Sequence, residues 1–309
     1  MVRVVAAGHV NWDVTLRVEA LPEPDGEARI SSQQRSGGGS AANVAAAIAG
    51  YGADAAIVGS VGDDEPGFLA RRELERDAVD VSQLRTVRNA ETTVKYLIVD
   101  AEGEVMVLGN EGANEAFTMD DVDSAVVREA DHLHLTSQRP ETAIRLAELA
   151  RDGDATVSFD PGRRIAEQDY GTLPEAADVL FANRREAAVA LAGTAPEDFV
   201  ADTDRILVVK RGGEGAHVYA DGVAVEHAGF DITPVDTTGA GDAFAAGFLA
   251  VVLGAWDEEL RGSIHDADFG RALAVANACG AIVACEEGAR RAPTQAAAEA
   301  FLAERGGAV

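Results

Sequence analysis

Residues 236–242 read Asp236-Thr237-Thr238-Gly239-Ala240-Gly241-Asp242 and run straight into the apolar stretch Ala243-Phe244-Ala245-Ala246-Gly247-Phe248-Leu249. Glycines that end where a helix-compatible pattern begins leave backbone N–H groups pointing out of a helix N-terminus, where the dipole favours an anion. Asp242 stands at the edge of that mouth. Its carboxylate can take a proton from a hydroxyl while the N–H groups hold phosphoryl oxygens. The chemistry this allows is phosphoryl transfer to an alcohol. The same heptapeptide also reads as a ligand-free helix capped after a glycine turn.

A second glycine run, Gly37-Gly38-Gly39-Ser40-Ala41-Ala42-Asn43, opens an alanine-rich helix ending near Gly50. Its glycines permit close backbone approach, and Asn43 can donate to and accept from sugar hydroxyls. Asn11 and Asp13 follow the first strand, beyond which α/β sheets bind ligands, so they either hold a polyol or serve a turn. Asn183-Arg184-Arg185-Glu186 has the form of a capping box, a sufficient structural reason for both residues. Lys210-Arg211-Gly212-Gly213-Glu214-Gly215 ends a strand in a glycine turn.

Two other chemistries are excluded or disfavoured. No Gly-x-x-x-x-Gly-Lys-Ser/Thr occurs, so this is not a Walker-type P-loop. Gly239-x-Gly241 superficially matches a dinucleotide fingerprint, but it lies late in the chain and Asp242 would push its charge at a pyrophosphate, leaving an NAD-dependent oxidoreductase as a remote alternative. A non-catalytic sugar or nucleotide sensor would need the pocket without the base, and Asp242 argues against it.

The elements that must position these residues alternate. Strands are expected at 2–8, 55–61, 132–135, 155–160, 179–182 and 205–210, and helices at 65–77, 118–129, 140–151, 183–192, 266–285 and 294–304. That order predicts a doubly wound α/β fold, a mostly parallel sheet with helices on both faces. Residues 27–34 read as an edge strand, and Thr93–Asp100 and Glu104–Leu108 as a hairpin around Ala101-Glu102-Gly103. With segments near Thr15 and Ile30 they are expected to build a small β-sheet lid, its strands inserted at about 14–36 and 92–110 in one domain spanning 1–309. Exposed lid edges favour a homodimer.

The 309 residues carry 26 basic and 53 acidic groups, a net charge of −27. Nucleic acid is therefore no partner, because a duplex would meet net repulsion. Only Lys95 and Lys210 are lysines, leaving 24 arginines among the 26 basic residues. A carboxylate-rich, lysine-poor surface suits a halophile-like cytosol, where salt screens self-repulsion. No apolar run approaches the roughly 20 residues needed to cross a bilayer, and no leader pattern stands at the start, so a cytoplasmic protein without membrane partners is expected. Cys279 and Cys285 lack metal-ligand spacing and read as reduced core residues.

Gly38-Gly39-Ser40-Ala41-Ala42-Asn43 near the start and Asp236 to Asp242 near the end resemble the two signatures of the ribokinase-like (PfkB) carbohydrate kinases, and the resemblance covers nearly the whole chain. It implies an ATP-dependent kinase acting on a primary hydroxyl, with Asp242 as base and the backbone of Gly239, Ala240 and Gly241 as anion hole. Asn183 and Glu186 match the family's Asn-x-x-Glu, which helps place Mg2+ through water. Asn11, Asp13, Gly38, Gly39 and Asn43 match sugar-holding positions. Lys210, Gly212 and Gly215 fall in the nucleotide loop, and Asn277 lies where the family packs adenine. K+ could bind beside the anion hole, near Asp236 and Thr238.

Gly8-His9, Leu21-Pro22-Glu23-Pro24 and Val157-Ser158-Phe159-Asp160-Pro161-Gly162 look most like the archaeal nucleoside kinase branch, which implies a ribose-based acceptor. Gln138 and Arg139 follow one strand and Arg163 and Arg164 another, both at sheet ends. Arginine forks there fit a phosphate or carboxylate, which points to ribose 1-phosphate or, alternatively, 2-keto-3-deoxygluconate, unless the arginines are solvated or paired with the abundant acids.

Overall fold

The computed structural model describes residues 1–23, 25–102, 105–286 and 292–305. Its strands are β1 (Arg3–Ala7), β2 (Asn11–Val18), β3 (Ile30–Gly38), β4 (Asp54–Gly62), β5 (Leu84–Val87), β6 (Val94–Val99), β7 (Val105–Gly109), β8 (His132–Thr136), β9 (Thr156–Asp160), β10 (Val179–Asn183), β11 (Ile206–Lys210), β12 (Ala216–Ala220) and β13 (Val223–His227). The helices are α1 (Ser40–Gly50), α2 (Glu65–Arg76), α3 (Ser124–Arg128), α4 (Pro140–Arg151), α5 (Leu173–Ala176), α6 (Arg184–Ala190), α7 (Pro196–Val200), α8 (Ala240–Val252), α9 (Phe269–Ala284) and α10 (Gln295–Glu304).

Nine strands form one sheet in the order β13-β12-β11-β10-β9-β8-β1-β4-β5. All pairs from β11 to β5 are parallel, and only β12 and β13 run antiparallel at one edge. The near-continuous apolar sequence of β1 has a direct cause: Val4 enters the core beneath α1, α8 and α9, while Val5 and Ala7 enter the opposite core beneath α4. A strand buried on both faces cannot alternate polar with apolar residues. The expected doubly wound α/β layer is therefore present.

The helix that follows the second glycine run is apolar all round because α8 is wrapped on every side. Phe248 and Leu249 are fully buried, and α8 packs on both α1 and α9. Burial of each such side chain is worth about 1.5–3 kcal/mol. That packing fixes the N-terminus of α8 against the sheet.

The separate lid also exists, a four-stranded sheet in the order β3-β2-β6-β7. Its central pair, β2 with β6, is parallel, and the outer pairs are antiparallel. Asn11 and Asp13, read as polyol ligands or as turn residues, are not in a turn: they begin strand β2, because β1 ends at Ala7 and the chain continues directly into the lid. The expected edge strand at 27–34 is displaced to 30–38, bringing Gly37 and Gly38 into the sheet opposite Trp12 and Asn11. Gly103 and Glu104 of the expected hairpin, and Pro24, lie outside the described residues.

The expected helix 118–129 is broken. A one-turn helix at Met119–Asp121 closes with a capping box between Thr118 and Asp121, and α3 starts afresh after Asp123. Two capping aspartates so close together favour two starts over one continuous helix. Cys279 is buried as expected, but Cys285 is exposed at the end of α9. Among the described residues no helix is long and apolar enough to cross a membrane.

Candidate active site

Both glycine runs end as helix starts, and the two helices meet. Gly39 at the start of α1 has φ 94°, Gly239 at the start of α8 has φ 78°, and neither helix carries a side-chain cap. A Cβ on Gly39 would lie 2.4 Å from the His9 carbonyl, so both conformation and space demand glycine. From the first turn of α1, Asn43 Nδ2 donates to Asp242 Oδ2 at 2.7 Å. Asp236 Oδ1 accepts from the Thr238 N–H at 2.9 Å and fixes the turn ahead of α8.

Two cavities open from this point. One, of about 1150 Å³, runs beneath the lid and is lined by Asn11, Ser40, Asp160, Asn183, Glu186 and Asp242 among others. The second, of about 640 Å³, lies between the Gly212–Gly215 turn and α8–α9, with Gly212, Gly215, Ala240 and Asn277 in its wall. Both cavities share Lys210, Thr237 and Gly241. A donor in one and an acceptor in the other would therefore meet at the N-terminus of α8.

The junction is rich in coupled charge. Lys210 Nζ contacts Asp160 Oδ2 at 2.5 Å. Burial opposes the lysine's charge, but Asp160, Glu186 and Asp242 together hold its pKa above the ordinary value. Burial pushes the Asp242 carboxyl up, with Asp160 adding to the effect and Asn43, Lys210 and Ser40 opposing it. Burial likewise raises Glu186, aided by Asp160 and opposed by the Asn183 N–H, Lys210 and Arg163. The capping box is real: Asn183 Oδ1 accepts from the Glu186 N–H at 3.0 Å, and Glu186 Oε2 accepts from the Asn183 N–H at 2.8 Å. Glu186 nevertheless lines the larger cavity, so capping does not exhaust its role.

The same cavity is lined by His9, Arg139, Arg163 and Arg164, and by Lys95 from β6 of the lid; Arg164 and Lys95 act on His9, whereas Arg163 acts on Glu186. Arg164 pairs with Glu115 and Arg139 Nε lies 4.0 Å from the same carboxylate, so two of the three expected arginines do have an acidic neighbour. Asn11 Oδ1 accepts from Asn114 Nδ2 at 2.6 Å, leaving its own buried Nδ2 without a protein partner. Asn43 Oδ1 is buried and unpartnered too. Unsatisfied buried amides cost about 1–3 kcal/mol each; Asn11 lines the larger cavity, and Asn43 adjoins it through its bond to Asp242, so hydroxyls of a ligand would satisfy them.

Asp13, Gly38 and Gly39 stand behind this lining, where a Cβ on Gly38 would fall 2.1 Å from Asp13 Oδ2. Gln138 is fully buried, donating from Nε2 to the Ala7 carbonyl at 3.3 Å, and does not line the cavity. Its position after a strand end resembles that of a ligand residue, but the side chain turns back under β1.

The family model for pfkB carbohydrate kinases matches residues 1–296. The chain belongs to that family. An ATP-dependent ribose-1-phosphate kinase of Halopiger xanaduensis is 56% identical to this PfkB kinase over 308 residues, 99% of each chain. A nucleoside kinase of Methanothermobacter thermautotrophicus is 28% identical over 258 residues, 81% of this chain and 82% of that one. Among solved structures, the nucleoside kinase of Methanocaldococcus jannaschii aligns with TM-score 0.80 at 24% identity, covering 98% of this chain and 99% of that one. The ribokinase of Thermotoga maritima gives TM-score 0.80 at 23% identity, with coverage of 98% and 99%. The ribokinase-like fold implied by the two glycine signatures is thus borne out, and the chain is a phosphotransferase with a sugar hydroxyl as acceptor.

Three residues of the PfkB site have no role expected from the sequence. Asp160 ends β9 and meets Lys210, which ends β11 two strands away. Lys95 could have been suspected, because in a chain with only two lysines both line the same cavity. Glu115 lies in the segment after β7, and nothing in its neighbourhood marks it.

Proposed function

We propose that this kinase transfers the γ-phosphate of ATP to the primary hydroxyl of ribose 1-phosphate. The observation that carries the reading is the gathering of Lys95, Arg139 and Arg164 about His9 and Glu115 in the cavity beneath the lid, in a protein of net charge −27. Cations are scarce in this chain, and a neutral acceptor gives no reason to gather three of them there. The 56% identity to a relative described as an ATP-dependent ribose-1-phosphate kinase supports the same acceptor.

In this reading the sugar hydroxyls satisfy the free amide atoms of Asn11 and Asn43, with Asp13, Gly38 and Gly39 shaping the site behind them. The nucleotide lies along Gly212, Gly215 and Asn277. Asp242 takes the proton of the attacking hydroxyl, and the N–H groups of Gly239, Ala240 and Gly241 with Lys210 meet the charge that develops on the transferred group. Closing the lid excludes water, which would otherwise compete as acceptor.

Among the described residues no group of three or more His, Cys, Asp or Glu could hold a metal alone. Mg2+ is ordinarily bound through one or two carboxylates plus substrate phosphates, and Glu186 beside Asp160 offers that donor set. Bound there through water, it would neutralise charge on the phosphates. K+ is proposed beside the anion hole, on oxygens near Asp236 and Thr238. A homodimer through the lid is also proposed: Tyr96 and Leu108 face each other across β6 and β7, and both are exposed, as are Met106 and Ile30.

The test is ADP release at high potassium chloride with ribose 1-phosphate, free ribose, guanosine, cytidine and 2-keto-3-deoxygluconate as acceptors. Ribose 1-phosphate is expected to give the highest kcat/KM. Equal or better turnover on the neutral compounds refutes the anionic acceptor.

A further inference from the structure

The carboxylate of Glu115 sits where the acceptor's anion would be bound. Its Oε1 meets His9 Nε2 at 2.8 Å and pairs with the Arg164 guanidinium, and its Oε2 lies 4.0 Å from Arg139 Nε. The Glu115 side chain retains only 12% of its exposure, against 56% for Arg139. Burial, with Arg164 and Lys95 adding their charge, drives the His9 pKa down to about 3, so the ring is neutral and the cations of the cluster are the guanidinium groups and the lysine. The Lys95 side chain makes no hydrogen bond or ion pair among the described residues, although its backbone is paired in the lid sheet. The Glu115 carboxylate thus has two guanidinium groups and a neutral imidazole as its direct partners.

The backbone is built to hold it there. Glu115 has φ 63°, a left-handed conformation that side-chain-bearing residues rarely adopt. Its neighbour Asn114 anchors the segment to the sugar side of the site, donating to Asn11 Oδ1 at 2.6 Å and accepting from the Val10 N–H at 3.2 Å. The segment continues directly from lid strand β7. Neither the base, the anion hole nor the nucleotide turn needs a carboxylate at this spot.

We propose that Glu115 is a specificity-determining residue: a tethered stand-in for the acceptor's phosphate that holds the Arg164–Arg139 subsite until a dianion displaces it. The proposal rests on the anionic-acceptor reading above. A phosphate dianion carries about twice the charge of a carboxylate and more acceptor oxygens, so it can win the arginines. A neutral sugar or a small monoanion meets a tethered competitor at high effective concentration and cannot.

A site filled by its own side chain binds an external anion with an affinity reduced by the fraction of molecules in which the site is free. Glu115→Gln keeps the size and a hydrogen-bond acceptor but removes the charge, and Glu115→Asp keeps the charge but withdraws it by one methylene. Binding of ribose 1-phosphate and of free ribose is measured calorimetrically for wild type and both variants, with urea midpoints to verify folding. Glu115→Gln is expected to bind ribose 1-phosphate roughly three- to thirtyfold more tightly than wild type, with inorganic phosphate a correspondingly better competitor. Glu115→Asp should fall between, and it carries the test if the glutamine variant does not fold. Unchanged or weaker binding of ribose 1-phosphate by the folded variants overturns the stand-in role; if wild type still prefers ribose 1-phosphate to ribose, the acceptor reading survives that result. Equal binding of the two by wild type overturns the acceptor reading and the stand-in with it.

Discussion

Asn43 and Asp242, 199 residues apart, are joined by a 2.7 Å hydrogen bond from Nδ2 to Oδ2. The bond ties the helix that starts from the first glycine run to the helix that starts from the second. It leaves Asn43 Oδ1 free for a ligand while holding the proposed base at the mouth of α8. In the proposed mechanism, acceptor recognition and proton removal would thus be anchored to one pair of packed helices.

Replacing the base isolates its role. Asp242→Asn keeps the size of the side chain and is expected to fold and to bind ATP, while turnover falls by about two to four orders of magnitude, the range for a lost general base. Single-turnover kinetics with calorimetric ATP binding checks this. Near-normal turnover would remove Asp242 from the mechanism.

Asn43→Ala tests the bond itself. A hydrogen bond to a charged group is worth about 1.5–3 kcal/mol, so kcat/KM should drop roughly ten- to hundredfold. The pH profile adds a sign. Burial raises the Asp242 pKa and Asn43 opposes that rise, so removing Asn43 leaves the carboxyl higher still. The ionised base is lost as pH falls through this pKa, so the acid limb of kcat/KM should move to higher pH in the variant. A limb that stays put or moves down contradicts the assignment.

Gly38 has no unusual φ, yet its Cα faces the carboxylate of Asp13, with which an added Cβ would collide at 2.1–2.6 Å. Asp13 is 5% exposed and has little room to retreat. Gly38→Ala is therefore expected to cost about 1–3 kcal/mol of stability, as overpacking does. It should also raise the acceptor KM more than the ATP KM. Urea denaturation and steady-state kinetics on both substrates read the two effects, and a variant with unaltered acceptor KM would show that Asp13 does not shape the sugar site.

The legible parts of this protein are those where local sequence forces local structure. The glycine-to-helix transitions at Gly39 and Gly239 announce themselves because only glycine fits there, and the two-face burial of β1 shows in its unbroken apolar run. Strands β12 and β13 are not among the expected elements, although Asp221-Gly222 between them suits a tight hairpin. Residues whose roles come from tertiary placement stay silent. Asp160 matters because β9 and β11 end at the same level, and Glu115 because a left-handed backbone aims it across the cavity. Gln138 fails in the opposite sense: it follows a strand end as a ligand residue should, but its side chain turns inward to Ala7. Lys95 required counting rather than pattern, since its meaning lies in the rarity of lysine elsewhere.

The same tertiary placement makes stability depend on pH through residues remote from any motif. His132 and His134 point to one face of β8, each opposite its register partner, Thr156 or Ser158, on β9. His132 bonds Thr156 Oγ1 and Ser158 Oγ, and His134 bonds the same Ser158 Oγ, all at 2.7 Å. Both rings are fully buried, and burial first, followed by coupling to His134 for His132 and the Lys210 charge for His134, drives both pKa values down to about 3 from 6.5. Between those values the unfolded chain binds more protons than the folded one. The stability these histidines provide is therefore complete above pH 6.5 and is lost progressively as pH falls toward 3. The slope approaches about 1.4 kcal/mol per pH unit for each ring, a large share of the roughly 5–15 kcal/mol that holds a protein folded. Urea midpoints should accordingly fall steeply from pH 7 to pH 5. The raised carboxyls of Asp242 and Glu186 act with the opposite sign, since they bind protons more readily in the folded state. The comparison that isolates the histidines is therefore with His134→Asn, in which the slope should drop by about half the combined histidine contribution. Parallel pH dependences for wild type and variant would mean that His134 is not held neutral by the fold.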